Sequence, residues 1–189
     1  MPDIVVLNFV ELREPPGDQL PAVAHDLAAI HATMPGFLSQ TYWQVDGSET
    51  EFLAMIRYRD LESAQAATAK VANEELIVEI VQALAKPADV RWVEILEETG
   101  STVFPPMGSF LSISDRMSFP GLQGRLQDEM ARIFAELATM DGFVGSIRGH
   151  STQFEEDVYG VVIWSRRDAF LASLPANPPY EVRLYRRFA

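Results

Sequence analysis

Few side chains in this sequence could carry acid–base or redox chemistry. The three histidines are His25, His31 and His150, and cysteine is absent, which excludes disulfides, thiolate metal sites and a cysteine nucleophile. The histidines lie on separate predicted elements without HxH or HExxH spacing, so no metal site is predicted. GxGxxG, P-loop and GxSxG motifs are also missing, and the sequence therefore favours neither a nucleotide cofactor nor serine hydrolysis.

His31 is the preferred candidate for a general base. It lies one residue past Ile30 on a predicted amphipathic helix, so its ring borders the apolar stripe. An imidazole there could accept a proton near neutral pH, or it could be a partly buried helix residue without a chemical role. His25 is predicted on the solvated face of the same helix, and His150 at the end of a strand.

Asn8 is the polar residue of an otherwise apolar strand, and it is the second catalytic candidate. Alternation places it on the face of Ile4, Val6 and Val10, where a buried amide needs a partner from the protein or from a ligand. A satisfied structural amide is the alternative. The aromatic candidates for a pocket are Tyr58, as a catalytic residue, and three residues for substrate binding: Tyr42, Trp43 and Trp164. For the two tryptophans, packing in the core or between sheets is the competing interpretation.

Charge and composition limit the partners. The net charge is −12, which disfavours nucleic acid and anionic membranes as partners. With 48% apolar and 22% charged residues, no membrane-length apolar run and no signal-peptide pattern at Met1–Ile4, a cytoplasmic globular protein is expected. The late basic residues Arg183, Arg186 and Arg187 are interpreted as an exposed strand edge or a subunit contact. Arg57 is expected to pair with Asp60 or Glu62.

The sequence repeats weakly. Met34–Phe37 (MPGF) recurs as Met140–Phe143 (MDGF), 106 residues later (140 − 34). The first half is predicted as strand, helix, strand, strand, helix, strand, with a helix capped by Asp18, a separate helix capped by Asn73 and a closing strand ending at Leu96. Each sheet is expected to carry its helices on one face and to cover its other face.

The second half repeats this order with a shortened second helix. The predicted boundaries are a first domain at 1–98, a linker at 99–108 rich in turn residues, and a second, shortened domain at 109–189. The predicted fold class is thus α+β, with two fused ferredoxin-like halves, each an antiparallel sheet with helices on one face.

Several of these runs resemble the antibiotic-biosynthesis-monooxygenase (ABM) family. In the first half they are the helix stop Pro35–Leu38 (PGFL), the strand end Ile56–Tyr58 and the acidic helix start Asp60–Ala64. The second half is similar at Gly142–Phe143, Val161–Ser165 and Asp168–Phe170. Family members usually pair two such domains into a dimeric α+β barrel, so the resemblance implies an internal pseudo-dimer. Further homodimerisation is left open.

The resemblance also implies a function. The leading hypothesis is a cofactor-independent monooxygenase that uses O₂, without metal or flavin, on an aromatic or quinol-type molecule. Its pocket is expected in the first half, between helices and sheet. The alternative is a non-catalytic small-ligand-binding or stress-response protein of the same fold.

A haem-binding or haem-degrading protein is the third hypothesis, and it is disfavoured. The haem-degrading branch of the family has an Asn on the first strand, a Trp on the third strand and a His on the following helix. Asn8 matches the first position, but Tyr58 stands at the Trp position and the helix near Leu61–Ala72 has no histidine. In the second half Trp164 matches, whereas Ser114 replaces Asn and the short helix again lacks histidine.

Overall fold

A computed structural model describes residues 2–175 and 182–189. The first half contains four strands and three helices, and the Gly17–Gln19 segment forms a short 3₁₀ turn before the first helix. In chain order the elements are β1 Ile4–Glu11, α1 Leu20–Ala32, β2 Phe37–Val45, β3 Glu51–Tyr58, α2 Leu61–Val71, α3 Glu75–Ala83 and β4 Asp89–Gly100.

The second half repeats the order with one helix fewer after its third strand. Its elements are β5 Phe110–Met117, α4 Gln123–Leu137, β6 Phe143–Ser151, β7 Asp157–Trp164, α5 Arg167–Ser173 and β8 Val182–Arg187. The sequence predicts this last strand over Tyr180–Phe188, and its predicted start lies outside the described residues. None of the helices within 2–175 and 182–189 is long and apolar enough to span a bilayer.

All eight strands close into one antiparallel barrel in the order β1-β3-β2-β8-β5-β7-β6-β4. Each half has the strand order of a ferredoxin-like sheet, β4-β1-β3-β2 and β8-β5-β7-β6. The halves join where β2 pairs with β8 and where β4 pairs with β6. The α+β fold predicted from the sequence is confirmed, with the two sheets hydrogen-bonded edge to edge into a closed barrel.

Both faces of the strands are apolar because each faces a separate core. The barrel interior holds a cluster from both halves, with Leu7, Trp43, Leu53, Leu111 and Ile163 at its fully buried centre. A second cluster fills the space between the half-one sheet and its helices, and a third does the same in half two. Strand alternation therefore decides, residue by residue, which side chains can reach a helix-side pocket.

The structure corrects two helix N-caps that were predicted from the sequence. Asp18 was expected to cap the first helix, but it lies within the 3₁₀ turn, and Gln19 occupies the cap position without a side-chain hydrogen bond. Asn73 was expected to cap the third helix, but its side chain donates to the Ala69 carbonyl at 3.2 Å. Asp60, in contrast, caps α2, because its carboxylate accepts from the Ser63 amide at 2.7 Å.

Two further expectations were wrong because they ignored pairing between the halves. The closing strand β4 runs to Gly100, four residues past the predicted Leu96, since its last residues pair with β6. The arginine-rich strand β8, with Arg183, Arg186 and Arg187, is not an edge, because it pairs with β2 on one side and β5 on the other.

Arg57 binds carboxylates other than those expected. It points into one end of the barrel, where its guanidinium contacts Asp3 at 2.7 Å and Glu98 at 2.7 Å, and Glu98 also accepts from Thr102. Hydrogen bonding to Glu98 is the main reason that the pKa of Arg57 is raised. This ion-pair cluster joins the residue that precedes β1, the end of β3 and the end of β4.

Replacing Arg57 by methionine should destabilise the protein by about 2 kcal/mol. The substitution leaves two partly buried carboxylates without their cation, and such orphaned charges cost more than the pair itself contributes. Urea unfolding measures the change. Arg59→Met, at an exposed neighbouring position, is the matched control and should shift the free energy of unfolding by less than about 0.5 kcal/mol. Equal effects from both variants would contradict the structural role of the cluster.

Candidate functional site

The half-one helices and the outer face of their sheet enclose a cavity of about 480 Å³, here called the helix-side cavity. Apolar side chains of α1 and α3 form its walls, among them Leu20, Val23, Leu27, Ile77 and Ile80. Its floor consists of outward-facing residues of β1, β3 and β2. A mostly apolar enclosure with a few polar groups is the usual form of a small-molecule site.

His31 and Tyr58 form a hydrogen-bonded pair in this cavity. The His31 Nδ1 atom and the Tyr58 hydroxyl lie 2.6 Å apart, and both residues are nearly inaccessible to solvent. Burial lowers the pKa of His31 to about 4 and raises the pKa of Tyr58 to about 12. At neutral pH the imidazole is therefore uncharged and has a free lone pair, although burial makes it a weaker base than a solvated histidine, while the phenol keeps its own proton.

The lowered pKa of His31 makes stability depend on pH. Between pH 6.5 and about 4 the unfolded chain binds a proton at His31 that the folded chain does not bind, so stability falls as the pH falls. The contribution between pH 7 and pH 5 is about 2 kcal/mol at roughly 1.4 kcal/mol per unit. Urea unfolding at both pH values should show this loss in the native protein and a smaller loss in His31→Gln. Parallel losses in the two proteins would contradict burial of the imidazole, and His25→Gln, at an exposed position, is the control.

Asn8 and the pair formed by Gln40 and Tyr42 add polar groups to the same floor. Asn8 pairs with Ala54 in the β1–β3 register, and Tyr42 pairs with Ala54 in the β2–β3 register. The side chains of Asn8, Ala54 and Tyr42 therefore lie on the same face of the sheet. The Asn8 side chain makes no hydrogen bond to any residue of the described chain. Gln40 donates to the Tyr42 hydroxyl at 2.5 Å, whereas its carbonyl oxygen is buried without a partner among those residues.

This arrangement leaves hydrogen-bonding capacity directed at a ligand. Buried amides are normally satisfied, so the unpartnered Gln40 oxygen, with the half-buried Asn8 amide beside the same apolar cavity, favours a bound molecule with hydroxyl groups. Burial strongly raises the pKa of Tyr42, which therefore stays a neutral phenol. The cavity thus offers neutral donors and acceptors together with one uncharged imidazole.

The structure brings together four of the six predicted site residues, Asn8, His31, Tyr42 and Tyr58. Trp43 does not join them: it points into the barrel interior, is fully buried there, and donates to the Thr41 hydroxyl at 2.9 Å. Trp164 lies in the other half, where it donates to the Ser112 hydroxyl at 3.2 Å. Of the other histidines, His25 is exposed and His150 lies 4.0 Å from Glu94.

Half two has its own cavity, of about 450 Å³, lined by Trp164 and by α4. The shorter second helix does not abolish the space. The position equivalent to Ala54 is Gly160, where Met130 and Phe134 of α4 approach so closely that a Cβ atom would lie 2.7 Å from each. This cavity contains no histidine, and its ionisable residues include the ion pair of Arg116 with Glu129.

Sequence reasoning missed Gln40 and Phe188 as members of the helix-side cavity. Gln40 could have been found by alternation, because it lies two residues before Tyr42 on the same face of β2. Phe188 could not, since it reaches the cavity only because the C-terminal segment follows β8 alongside β2, where its ring lies 6.1 Å from that of Tyr42. Within the described part of the chain, no three His, Asp or Glu side chains converge as metal ligands.

Solved structures similar to this chain share its fold at low sequence identity. A proposed monooxygenase from Fusobacterium nucleatum matches with a TM-score of 0.78 over 98% of this chain and 92% of that chain, at 10% identity. An anthrone oxidase-like protein matches with a TM-score of 0.73 over 100% and 92%, at 15% identity. A ferredoxin-fold protein from Listeria monocytogenes, related to antibiotic biosynthesis monooxygenases, gives 0.59 over 100% and 96%, at 9% identity.

These likenesses establish the α+β barrel fold, and at such identities they carry the fold alone. No protein-family profile and no curated protein matches the amino-acid sequence.

Proposed function

We propose that this protein is a cytoplasmic, cofactor-independent oxygenase of the ABM kind, which oxidises a phenolic or quinol-type aromatic molecule in the helix-side cavity. The observation that carries the proposal is the buried, uncharged His31 hydrogen-bonded to Tyr58 beside the unused amide groups of Asn8 and Gln40. The names of two structural neighbours, the proposed monooxygenase from Fusobacterium nucleatum and the anthrone oxidase-like protein, support it.

The chemistry assigns one role to each group. With its proton on Nδ1, His31 donates to the Tyr58 oxygen and keeps the Nε2 lone pair as the base that deprotonates the substrate. Asn8 and Gln40 hold the substrate oxygens through hydrogen bonds, and the α1 and α3 side chains exclude water. The substrate anion then reduces O₂, and for a methylene carbon the overall change is CH₂ + O₂ → C=O + H₂O.

Oxygen uptake tests the proposal. EDTA-treated, flavin-free protein is mixed with a panel of hydroquinones and anthrones, and uptake above the buffer rate is expected. Asn8→Ala should lower the rate about tenfold, the effect of one lost hydrogen bond in the transition state. Ser114→Ala is the matched control, because Ser114 is the half-two counterpart of Asn8 and lies outside the helix-side cavity. Oxygen uptake no faster than in buffer, for every compound of the panel, would contradict the oxygenase proposal.

A non-catalytic ligand-binding protein is the second candidate. It is favoured by one observation, the predominantly apolar wall contributed by α1 and α3, which would hold an aromatic molecule without reacting with it. This function predicts that the same panel binds, as measured by calorimetry, and that Asn8→Ala weakens binding while no oxygen is consumed.

A further inference from the structure

The two ends of the β-barrel differ in chemistry. At one end the Arg57 guanidinium, held by Asp3 and Glu98, occupies the space between the strands. At the other end a cavity of about 370 Å³ opens between the two halves. We call it the barrel mouth and define it by its inward-facing residues Phe9, Val45, Ile113, Tyr159 and Tyr185. Among the described residues it shares with the helix-side cavity only Val10 and Phe52, which pair near one end of β1 and β3.

Tyr159 supplies a polar group that the fold leaves unused. Only 1% of its surface is exposed, and its hydroxyl has no hydrogen-bond partner of acceptable geometry among the described residues. The Asp115 carboxylate lies near this hydroxyl. Burial raises the pKa of Tyr159, and the negative charge of Asp115 raises it further. A buried hydroxyl without a partner is costly, so this one is suited to a ligand that enters the mouth.

The described side chains that line the barrel mouth carry one more negative than positive charge (3 − 4 = −1): Glu11, Glu51, Asp89 and Asp115 against Lys86, Arg91 and Arg183. Lys86 pairs with Glu11 at 2.7 Å, and Arg91 pairs with Asp89 at 2.6 Å, so these groups offset one another. Asp115 forms no ion pair among the described residues. Burial raises the pKa of Asp115 and the neighbouring Asp157 charge raises it further, whereas Arg91 and the nearby Tyr159 hydroxyl act in the opposite direction. The pKa remains raised, so a further cation would stabilise this carboxylate.

We propose that the barrel mouth is a second binding site, which takes a small primary ammonium carried on an aromatic body. The ring packs against Phe9, Ile113 and Tyr185, and the ammonium donates to the Asp115 carboxylate and to the Tyr159 oxygen. An ammonium has three donors, and a cation is also attracted to the faces of the two tyrosine rings. Both halves contribute, since Phe9 and Val45 come from the first half, whereas Ile113, Asp115, Tyr159 and Tyr185 come from the second. The site is independent of the proposed oxygenase activity, which uses the helix-side cavity.

Other ligand classes fit less well. An anion would meet the unpaired Asp115 carboxylate. A divalent metal ion would need converging ligands, and no set of three His, Asp or Glu side chains is found in the described residues. A purely apolar molecule would leave the Tyr159 hydroxyl without a partner. The volume of about 370 Å³ is sufficient for a single-ring amine.

The test uses three probes of one shape and different charge: 2-phenylethylamine, 2-phenylethanol and phenylacetate. Calorimetry with the full chain should show binding of the amine, with the alcohol at least about tenfold weaker and the acid weaker still. Asp115→Asn should weaken amine binding about tenfold, and Tyr159→Phe about fivefold, because each removes one partner of the ammonium. Asp128→Asn, which removes an exposed charge on α4, is the matched control and should leave the affinity unchanged.

Three results would overturn the proposal. The first is equal affinity for the amine and the alcohol, which would mean that charge is not recognised. The second is no binding of the amine at about 10 mM, since even a weak specific site is then populated. The third is loss of amine binding in His31→Gln but not in Asp115→Asn, which would place the amine in the helix-side cavity. Thermal melting of Tyr159→Phe close to that of the native protein excludes misfolding as the cause of its weaker binding.

Discussion

His31→Ala should lower oxygen uptake with the best substrate of the panel by about a hundredfold or more, the usual contribution of a positioned general base. The reason is that His31 is the one imidazole in the helix-side cavity, and burial keeps it uncharged at neutral pH. Tyr58→Phe removes only the hydrogen bond that orients the ring, so a smaller loss of about tenfold is expected. Initial rates measured with an oxygen electrode distinguish the two effects.

A structural role for His31 would also lower the rate, so the experiment needs a readout that structure alone does not move. Added imidazole should restore part of the activity of His31→Ala, because the vacated space admits the missing base. His25→Ala removes an exposed histidine from the same helix and should keep the full rate. Absence of rescue, with the variant folded and still able to bind substrate, would show that His31 only packs against Tyr58.

The candidate site could be predicted in part because alternation and helix periodicity are local properties. Asn8 shares a face with Val6 and Val10 in any strand, and His31 borders the apolar stripe in any helix with this spacing. Those two rules are sufficient to place Asn8, His31 and Tyr58 near one another once the helix packs on the sheet. The strand boundaries within each half follow the same logic. Composition predicts strands at Glu51–Tyr58, Phe110–Met117 and Asp157–Trp164, and β3, β5 and β7 have these bounds.

What could not be predicted depends on contacts between the halves. The composition of Glu97–Gly100 is that of a turn, yet β6 supplies the hydrogen-bond partners that make it a strand. The β4 and β6 backbones approach closely at this point, because a Cβ atom on Gly100 would lie 2.3 Å from the Val144 carbonyl oxygen. The position of Arg57 follows from Glu98 in that same extension, so local sequence suggested the wrong carboxylates for it.

The orientations of Trp43 and Tyr42 also depend on contacts between the halves. The two residues are adjacent, aromatic and both buried, and β2 mixes apolar with polar residues on each face. Only closure of the barrel decides that Tyr42 lies toward α1 and Trp43 toward the other half. Of these two adjacent candidates for substrate binding, the fold therefore admits only Tyr42 to the helix-side cavity.

Trp43→Ala should consequently act on stability, with a loss of about 4 kcal/mol in the free energy of unfolding. The indole is fully buried in the barrel interior, so its removal leaves a large void and an unpaired Thr41 hydroxyl. Urea unfolding measures the loss, and Trp92→Ala, at a partly buried position on the opposite face of the sheet, should cost about half as much or less.

The milder Trp43→Phe variant separates core packing from ligand binding. It keeps most of the ring volume and should leave both the affinity and the oxygen uptake of the helix-side cavity unchanged, because the indole lies across the sheet from that cavity. If Trp43→Phe weakened aromatic binding as much as Asn8→Ala does, the ligand would have to reach the barrel interior. The assignment of ligand binding to the helix-side face of the half-one sheet, and of core packing to its barrel-side face, would then be wrong.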